Sequence, residues 1–63
     1  MLNENDSVKA KKDLSEHVLV GCIGTIVLIY QKPSLAYEVE FFDSQGDTIE
    51  LLTVQPIEIE LMS

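Results

Sequence analysis

Apolar and acidic residues alternate strictly in the segment Tyr37–Phe41. Successive side chains of a β-strand point to opposite faces, so this alternation predicts a strand with Glu38 and Glu40 on its polar face. The segments Thr48–Val54 and Ile57–Leu61 have a similar pattern. The residues that we expect to face the core in these two segments are Ile49, Leu51 and Thr53, followed by Ile57, Ile59 and Leu61. No segment has the period of an amphipathic helix, so the chain is predicted to be all-β.

The first half of the chain supplies two further strands. Val8–Lys12 alternates and predicts a short first strand with its lysines toward water. Thr25–Tyr30 is rich in β-branched residues but does not alternate, which indicates that it is buried on both sides or that its outer face meets another surface. Glycines accept a positive φ and can form the tight turns that lead into strands or join them. The candidates for this structural role are Gly21, Gly24 and Gly46.

Five short strands in a chain of 63 residues leave no room for a second layer of secondary structure. Such a sheet has to curl onto itself to bury its apolar face, so a small five-stranded β-barrel is predicted over residues 8–63. Residues 1–7 are polar and are expected to form a frayed N-terminal tail. A domain of this size has a limited core, which makes homo-oligomerisation one expectation.

The composition argues against an enzyme and against a metal or cofactor site. Cys22 and His17 are the only residues of their types, so neither an intramolecular disulfide nor a four-ligand zinc site can form. Asp13 and Ser15 lie close to His17, but neighbours within one loop rarely reach the geometry of a catalytic triad. Cys22 has no basic neighbour that would activate its thiol and is expected to act as a small hydrophobic residue.

Two further features concern the location of the protein. The longest apolar stretch is far too short to span a bilayer, and the N-terminal segment lacks the apolar core of a signal peptide. A lone cysteine fits a reducing compartment. We therefore expect a cytoplasmic protein with no membrane partner.

The formal net charge of −7 resides in the second half of the chain. All four lysines precede Pro33 and are balanced there by four acidic residues, whereas seven acidic residues and no basic residue follow. A segment without Lys or Arg cannot displace counterions from a phosphate backbone, so nucleic acid is not an expected partner. An acidic surface attracts basic proteins. The alternative is that the acidic residues only keep a small domain soluble.

Two sets of residues are candidates for partner binding. The glutamates predicted to form one acidic outer face are Glu38, Glu40, Glu50, Glu58 and Glu60. The apolar residues predicted at outward positions, as a partner or oligomer interface, are Leu28, Tyr30, Phe42, Leu52, Val54 and Met62. The alternative for the apolar set is that curvature of the barrel buries several of its members. Strand addition at an open sheet edge is a second way to form an interface.

The order of several short motifs resembles a known family. The pattern G-x-x-G-T-[IV]-V-x-[IV]-Y, then Y-E-V-E-F, then D-x-x-G-x-T, extends from Gly21 to Thr48. In this pattern the chain resembles the domain-of-unknown-function 4926 family of short bacterial proteins. The resemblance implies an SH3-like barrel with no established activity, encoded beside small partner proteins in an arrangement similar to toxin–antitoxin pairs.

The glycine-containing segment is also similar to the KOW motif of ribosomal and transcription-elongation proteins. Those proteins carry basic residues around the motif, whereas the neighbours here are apolar or acidic. The hypothesis from the sequence is therefore a non-enzymatic protein-interaction module, antitoxin-like toward a small basic protein. The alternative is a KOW-like nucleic-acid-binding domain.

Overall fold

The computed structural model describes residues 2–62 and confirms an all-β fold with five antiparallel strands in one sheet. The elements are β1 (Ser7–Ala10), β2 (Ile23–Tyr30), β3 (Ala36–Phe42), β4 (Thr48–Val54), a 3₁₀ turn (Pro56–Glu58) and β5 (Ile59–Leu61). The strand order is β4-β3-β2-β1-β5. Within residues 2–62 no ladder joins β4 to β5, so the sheet has two edges and is not closed, and the predicted barrel is not confirmed. Met1 and Ser63, at the ends of the predicted tail and domain, lie outside the described residues.

The core lies on one side of the sheet and is built from alternating strand positions. Val8 and Ala10 in β1 are buried, as are the three apolar residues of Tyr37–Phe41 that the alternation places inward. Val18, in the long connection between β1 and β2, is also fully buried and covers this side of the sheet. Burial of alternate side chains is what stabilises a single sheet whose other face stays in water.

The segment before β1 is hydrogen-bonded to β2. The backbone N–H of Asn5 donates to the carbonyl oxygen of Ile26 at 2.8 Å, and the N–H of Ile26 donates to the carbonyl oxygen of Asp6 at 3.0 Å. Ser7 already belongs to β1. These bonds tie residues 5–7 of the predicted N-terminal tail to the sheet.

A bulge in β2 explains why this strand does not alternate. Ile26 pairs with Val39, and the next pair joins Leu28 to Glu38, so Val27 is an extra residue without a direct partner. An extra residue reverses which face the following side chains occupy. Ile26 is therefore in the core, whereas Leu28 lies on the outer face and is 45% exposed.

A second bulge makes the predicted inward set of β4 wrong. Phe42 pairs with Thr48 and Phe41 pairs with Glu50, so Ile49 is the extra residue. Ile49 packs against the core as predicted, but beyond the bulge the faces are exchanged. Leu52 and Val54 then face the core, and Leu51 and Thr53 face outward.

The last predicted strand is also shorter than expected. Pro56 has no N–H to donate to a ladder, and it begins a 3₁₀ turn in which the N–H of Glu58 donates to the carbonyl oxygen of Gln55 at 3.0 Å. Ile57 is consequently 75% exposed instead of buried. Of the residues predicted to face inward in this segment only Ile59 is in the core, because Leu61 is exposed at the sheet edge.

Within residues 2–62 no helix has the length and apolar composition needed to cross a membrane.

Candidate functional site

The outer face of the sheet carries two glutamates on its β3 strand. Glu38 pairs with Leu28 of β2 and with Thr53 of β4. Glu40 pairs with Leu51 on the β4 side. Directly paired residues of an antiparallel ladder share one face, with Cβ atoms about 5 Å apart. Both carboxylates therefore project from the same side of the sheet, opposite to the core.

Each of these carboxylates accepts a hydrogen bond from a hydroxyl group. The Tyr30 hydroxyl donates to Oε1 of Glu38, and the Thr48 hydroxyl donates to Oε2 of Glu40, both at 2.6 Å. The bond to Glu38 raises the pKa of the Tyr30 phenol above its ordinary value, because the proton stabilises the neighbouring carboxylate. These bonds hold the two carboxylates in place and leave oxygen lone pairs directed to solvent.

Exposed apolar side chains surround the two carboxylates. Leu28 is 45% exposed, Tyr30 37% and Leu51 54%. We define these three residues together with Glu38 and Glu40 as the outer patch. Single exposed apolar residues are ordinary on a protein surface, but several on one sheet face beside charged residues are typical of an interaction surface.

The predicted five-glutamate acidic face is wrong, since only Glu38 and Glu40 lie together. Glu50 lies on the core side at one end of β4, where its Oε1 accepts a hydrogen bond from the Ser15 hydroxyl at 2.6 Å. This reversal is a consequence of the bulge at Ile49.

The other two glutamates lie away from β3. Glu58 belongs to the 3₁₀ turn, where its carboxylate accepts a hydrogen bond from the Gln55 N–H at 2.7 Å and lies 3.8 Å from the Lys12 ammonium. Glu60 lies on β5, three strands from β3, with its carboxylate 3.7 Å from the ammonium of Lys9. The alternating pattern of each strand predicts which side chains share a face of that strand, but not how far apart the three strands lie in the sheet.

The residues of the predicted apolar interface do not lie on one surface either. Val54 is buried in the core and Leu52 packs against it, so neither is available to a partner. Phe42 is half-buried beside its β2 partner Ile23, and Met62 is exposed just after β5. Leu51, which sequence reasoning assigned to the core, is instead an outer residue. The signal that would have found it is the bulge, which depends on the β3–β4 register and not on local sequence.

The predicted turn glycines have two different roles. Gly21 and Gly46 have φ values of +90° and +85° and lie in turns, as expected. Gly24 instead lies inside β2, where a Cβ would be 2.6 Å from Cγ1 of Val39 and 2.8 Å from the carbonyl oxygen of Glu40. Its role is to let β2 and β3 approach closely.

A shallow cavity of about 590 Å³ lies at the end of the sheet where Cys22 meets the β3–β4 turn. The Cys22 thiol donates to the carbonyl oxygen of Phe42 at 3.4 Å. Burial raises the pKa of this thiol, and the charge of Asp43 adds to the increase. A raised pKa disfavours the nucleophilic thiolate, so the cavity contains no activated thiol.

The loop residues that resemble a triad do not form one. The Ser15 hydroxyl donates to Glu50, Oδ1 of Asp13 accepts from the Val20 N–H, and the His17 ring lies 3.8 Å from Oε1 of Glu16 at the surface. Among the described residues no three His, Cys, Asp or Glu side chains come together in an arrangement that could hold a metal ion.

The electrostatics of the outer patch follow from the composition of its strands. The segments that form β2, β3 and β4 contain no Lys or Arg. The carboxylates of Glu38 and Glu40 therefore have no basic side chain on their own or their neighbouring strands. The arrangement can bind a surface that combines basic and apolar groups, and it offers no counter-charge for phosphates.

No curated protein and no solved structure matches this chain. A family model described as a domain of unknown function (DUF4926) matches residues 4–61, which is nearly the whole chain. The resemblance expected from the sequence motifs is confirmed, and the chain belongs to the DUF4926 family.

Proposed function

We propose that this protein is a non-enzymatic protein-interaction module that binds a basic protein through the outer patch. The observation that carries the proposal is the juxtaposition of Glu38 and Glu40 with exposed Leu28, Tyr30 and Leu51. Apolar groups supply affinity when they are covered, and the carboxylates select a partner of opposite charge. The net charge of −7 extends this preference beyond the patch, because the field of the whole molecule steers basic proteins toward it.

The partner class that we propose is a small basic protein that this chain neutralises, as an antitoxin neutralises its toxin, in the cytoplasm. Charge complementarity supports the basic character of the partner. The antitoxin-like role is carried by the resemblance of the sequence motifs. A second copy of the chain is the competing occupant of the patch, but two copies would bring together molecules that each carry a charge of −7.

The architecture that we propose for this module is an SH3-like sheet that curls around its core without closing. The strand order supports it, because β1 lies between β2 and β5 and thereby joins the first and last strands of the chain. The core on the inner side and the charged outer face are also those of a curled sheet.

The test is co-purification of the tagged chain from its native host, followed by mass spectrometry and direct binding of the purified partner. We expect one basic protein, retained by wild type and lost with Glu38→Lys/Glu40→Lys. The matched control is Glu4→Lys/Glu16→Lys, which changes exposed residues outside the strands. Both double variants have a net charge of −3, from −7 + 4, so a loss confined to the first identifies the patch and not the total charge.

Three outcomes would contradict the proposal. The first is a monomeric protein that retains no specific partner. The second is a partner that both charge-reversed variants retain equally. The third is saturable binding of RNA or DNA at low salt that weakens steeply as salt is added, and this result would favour the KOW-like alternative.

A further inference from the structure

The hydrogen bonds of β2 fix the direction of the backbone groups in β3. The N–H and C=O groups of Ile26 bond to Asp6 and Asn5 on the β1 side of β2. The backbone N–H and C=O of Ile26 therefore point away from β3, although Val39 of β3 is directly opposite to Ile26. In an antiparallel ladder such a pair is non-hydrogen-bonded, and the backbone groups of each member point to the strand on its other side. The backbone groups of Val39 consequently point to β4.

β4 is an edge of the sheet, and its backbone groups alternate between β3 and the outside. Val39 is opposite Leu52, so this pair is hydrogen-bonded. Hydrogen-bonded and non-hydrogen-bonded pairs alternate, which directs the backbone N–H and C=O groups of Leu51 and Thr53 away from β3. We call these four groups the free edge. Within residues 2–62 no strand lies beyond β4 on this side, and Leu51 and Thr53 take part in none of the turn, loop or cap backbone hydrogen bonds.

The features that protect β4 as an edge strand lie before the free edge and not along it. Natural edges are protected by lysine or proline, by inward-pointing charged residues, by bulges, or by being very short. β4 has its bulge at Ile49 and the inward-facing Glu50 directly after it, whereas residues 51–54 contain no proline and no charged residue. β5, at the other edge, has only three residues. The unprotected part of β4 is a template for an additional strand.

The side chains beside the free edge define the chemistry of the added strand. On the outer face it would lie beside Leu51 and Thr53, next to the acidic residues of β3. A basic side chain placed there could extend its aliphatic part over Leu51 and bring its charge to Glu40, about two strand spacings or 10 Å away. On the inner face the strand would lie beside Leu52 and Val54, which suit apolar side chains.

We infer that the free edge of β4 is the docking site for an extended segment of the partner, added antiparallel, in which basic outer residues alternate with apolar inner residues. The inference rests on the proposed function, since it names how the basic partner is bound. Antiparallel addition continues the pattern of the whole sheet, in which every ladder is antiparallel. Main-chain hydrogen bonds supply affinity, and the alternating side chains supply selectivity.

The probe is a capped heptapeptide in which arginine and valine alternate, matched to the length of β4. The arginines would lie opposite Leu51 and Thr53, so their backbone N–H groups are the ones that bond to the free edge. N-methylation of the arginines should weaken binding to the full-length protein by about tenfold or more, whereas N-methylation of the valines should leave it nearly unchanged. Fluorescence anisotropy measures both affinities without any change to the protein.

The protein variant that tests the same bonds is Thr53→Pro. Proline removes the outward N–H, and an edge strand tolerates proline where the N–H faces solvent. Thr53→Val keeps the N–H and is the matched control. We expect the heptapeptide to bind wild type and Thr53→Val equally and to lose about tenfold or more in affinity for Thr53→Pro. A thermal melt of each variant verifies folding.

Three outcomes would overturn the inference. If both methylated peptides bind as tightly as the parent and only Glu38→Lys/Glu40→Lys abolishes binding, docking uses the outer patch alone and the proposed function survives. If the parent peptide does not bind at all, the edge is not a docking site, and the co-purification result decides the proposed function separately. If the free protein forms a dimer that Thr53→Pro dissociates, the edge belongs to a second copy.

Discussion

Gly24 is the residue at which the structure leaves least room for change. A Cβ at this position would meet the Val39 side chain at 2.6 Å and the carbonyl oxygen of Glu40 at 2.8 Å. The second contact is to backbone, which cannot rotate away. Gly24→Ala should therefore lower the free energy of unfolding by about 1–3 kcal/mol, the usual cost of overpacking.

Urea denaturation measures this effect, with Gly21→Asn as the control. Gly21 has a positive φ but open space around its Cβ position, and asparagine tolerates a positive φ. We expect Gly21→Asn to be the milder change. A Gly24→Ala protein as stable as wild type would show that β2 and β3 do not approach as closely as described.

The Tyr30–Glu38 hydrogen bond predicts a pH dependence at the outer patch. The bond raises the pKa of the Tyr30 phenol above its ordinary value of about 10. A raised folded-state pKa means that the bond stabilises the fold fully below the unfolded pKa and that this stabilisation is lost as pH rises through the folded pKa. In Glu38→Gln the pKa of Tyr30 should return toward its ordinary value.

An NMR titration that follows the ring signals of Tyr30 tests this prediction in wild type and Glu38→Gln. The ring signals of Phe41, which is buried in the core and has no ionisable group, serve as an internal reference. Identical Tyr30 midpoints in the two proteins would contradict the hydrogen bond.

At the scale of elements, the orientation of β4 predicts alternating amide protection. The N–H groups of Leu52 and Val54 point to β3, whereas those of Leu51 and Thr53 belong to the free edge. Hydrogen exchange at Leu51 and Thr53 should be about tenfold faster or more than at Leu52 and Val54, because exposed edge amides exchange without opening of the ladder. Equal protection of all four would show that another group covers the edge.

The same element shows the limit of prediction from a strand pattern. The alternation within Thr48–Val54 identifies a strand with the correct bounds. It does not identify the faces, because the bulge opposite Phe41 and Phe42 inserts one residue and exchanges them. A bulge is a property of two paired strands, and neither strand alone contains it. For this reason the alternation alone predicts the wrong sides for Leu51 and Glu50.

At the scale of the whole molecule, the net charge predicts that salt stabilises the protein. The longest dimension is 32 Å, close to the Debye length of about 30 Å at 0.01 M salt and much longer than the 8 Å at 0.15 M. At low salt all seven uncompensated charges therefore repel one another across the molecule. Raising NaCl from about 0.01 M to about 0.15 M should increase Tm by about 4 °C or more, which corresponds to roughly 1 kcal/mol in the free energy of unfolding.

Differential scanning calorimetry measures this shift, and Glu38→Gln/Glu40→Gln is the matched comparison. That variant has a net charge of −5, from −7 + 2, and should show a smaller salt effect. A Tm that is constant or falls with NaCl would indicate that the lysine pairs Lys9–Glu60 and Lys12–Glu58 dominate the electrostatics instead.

The sequence by itself determined the properties that depend on neighbouring residues. Period-two alternation and, in β2, a run of β-branched residues identified the strands. The glycines of the turns needed a positive φ, and the order of short motifs identified the family. Only the tertiary structure decided which side chains share a face and whether the sheet closes. Those properties depend on the register between strands distant in the chain, on two bulges and on the 3₁₀ turn after Gln55. A shift of one residue in that register is enough to move a glutamate, here Glu50, from the outer face to the core side.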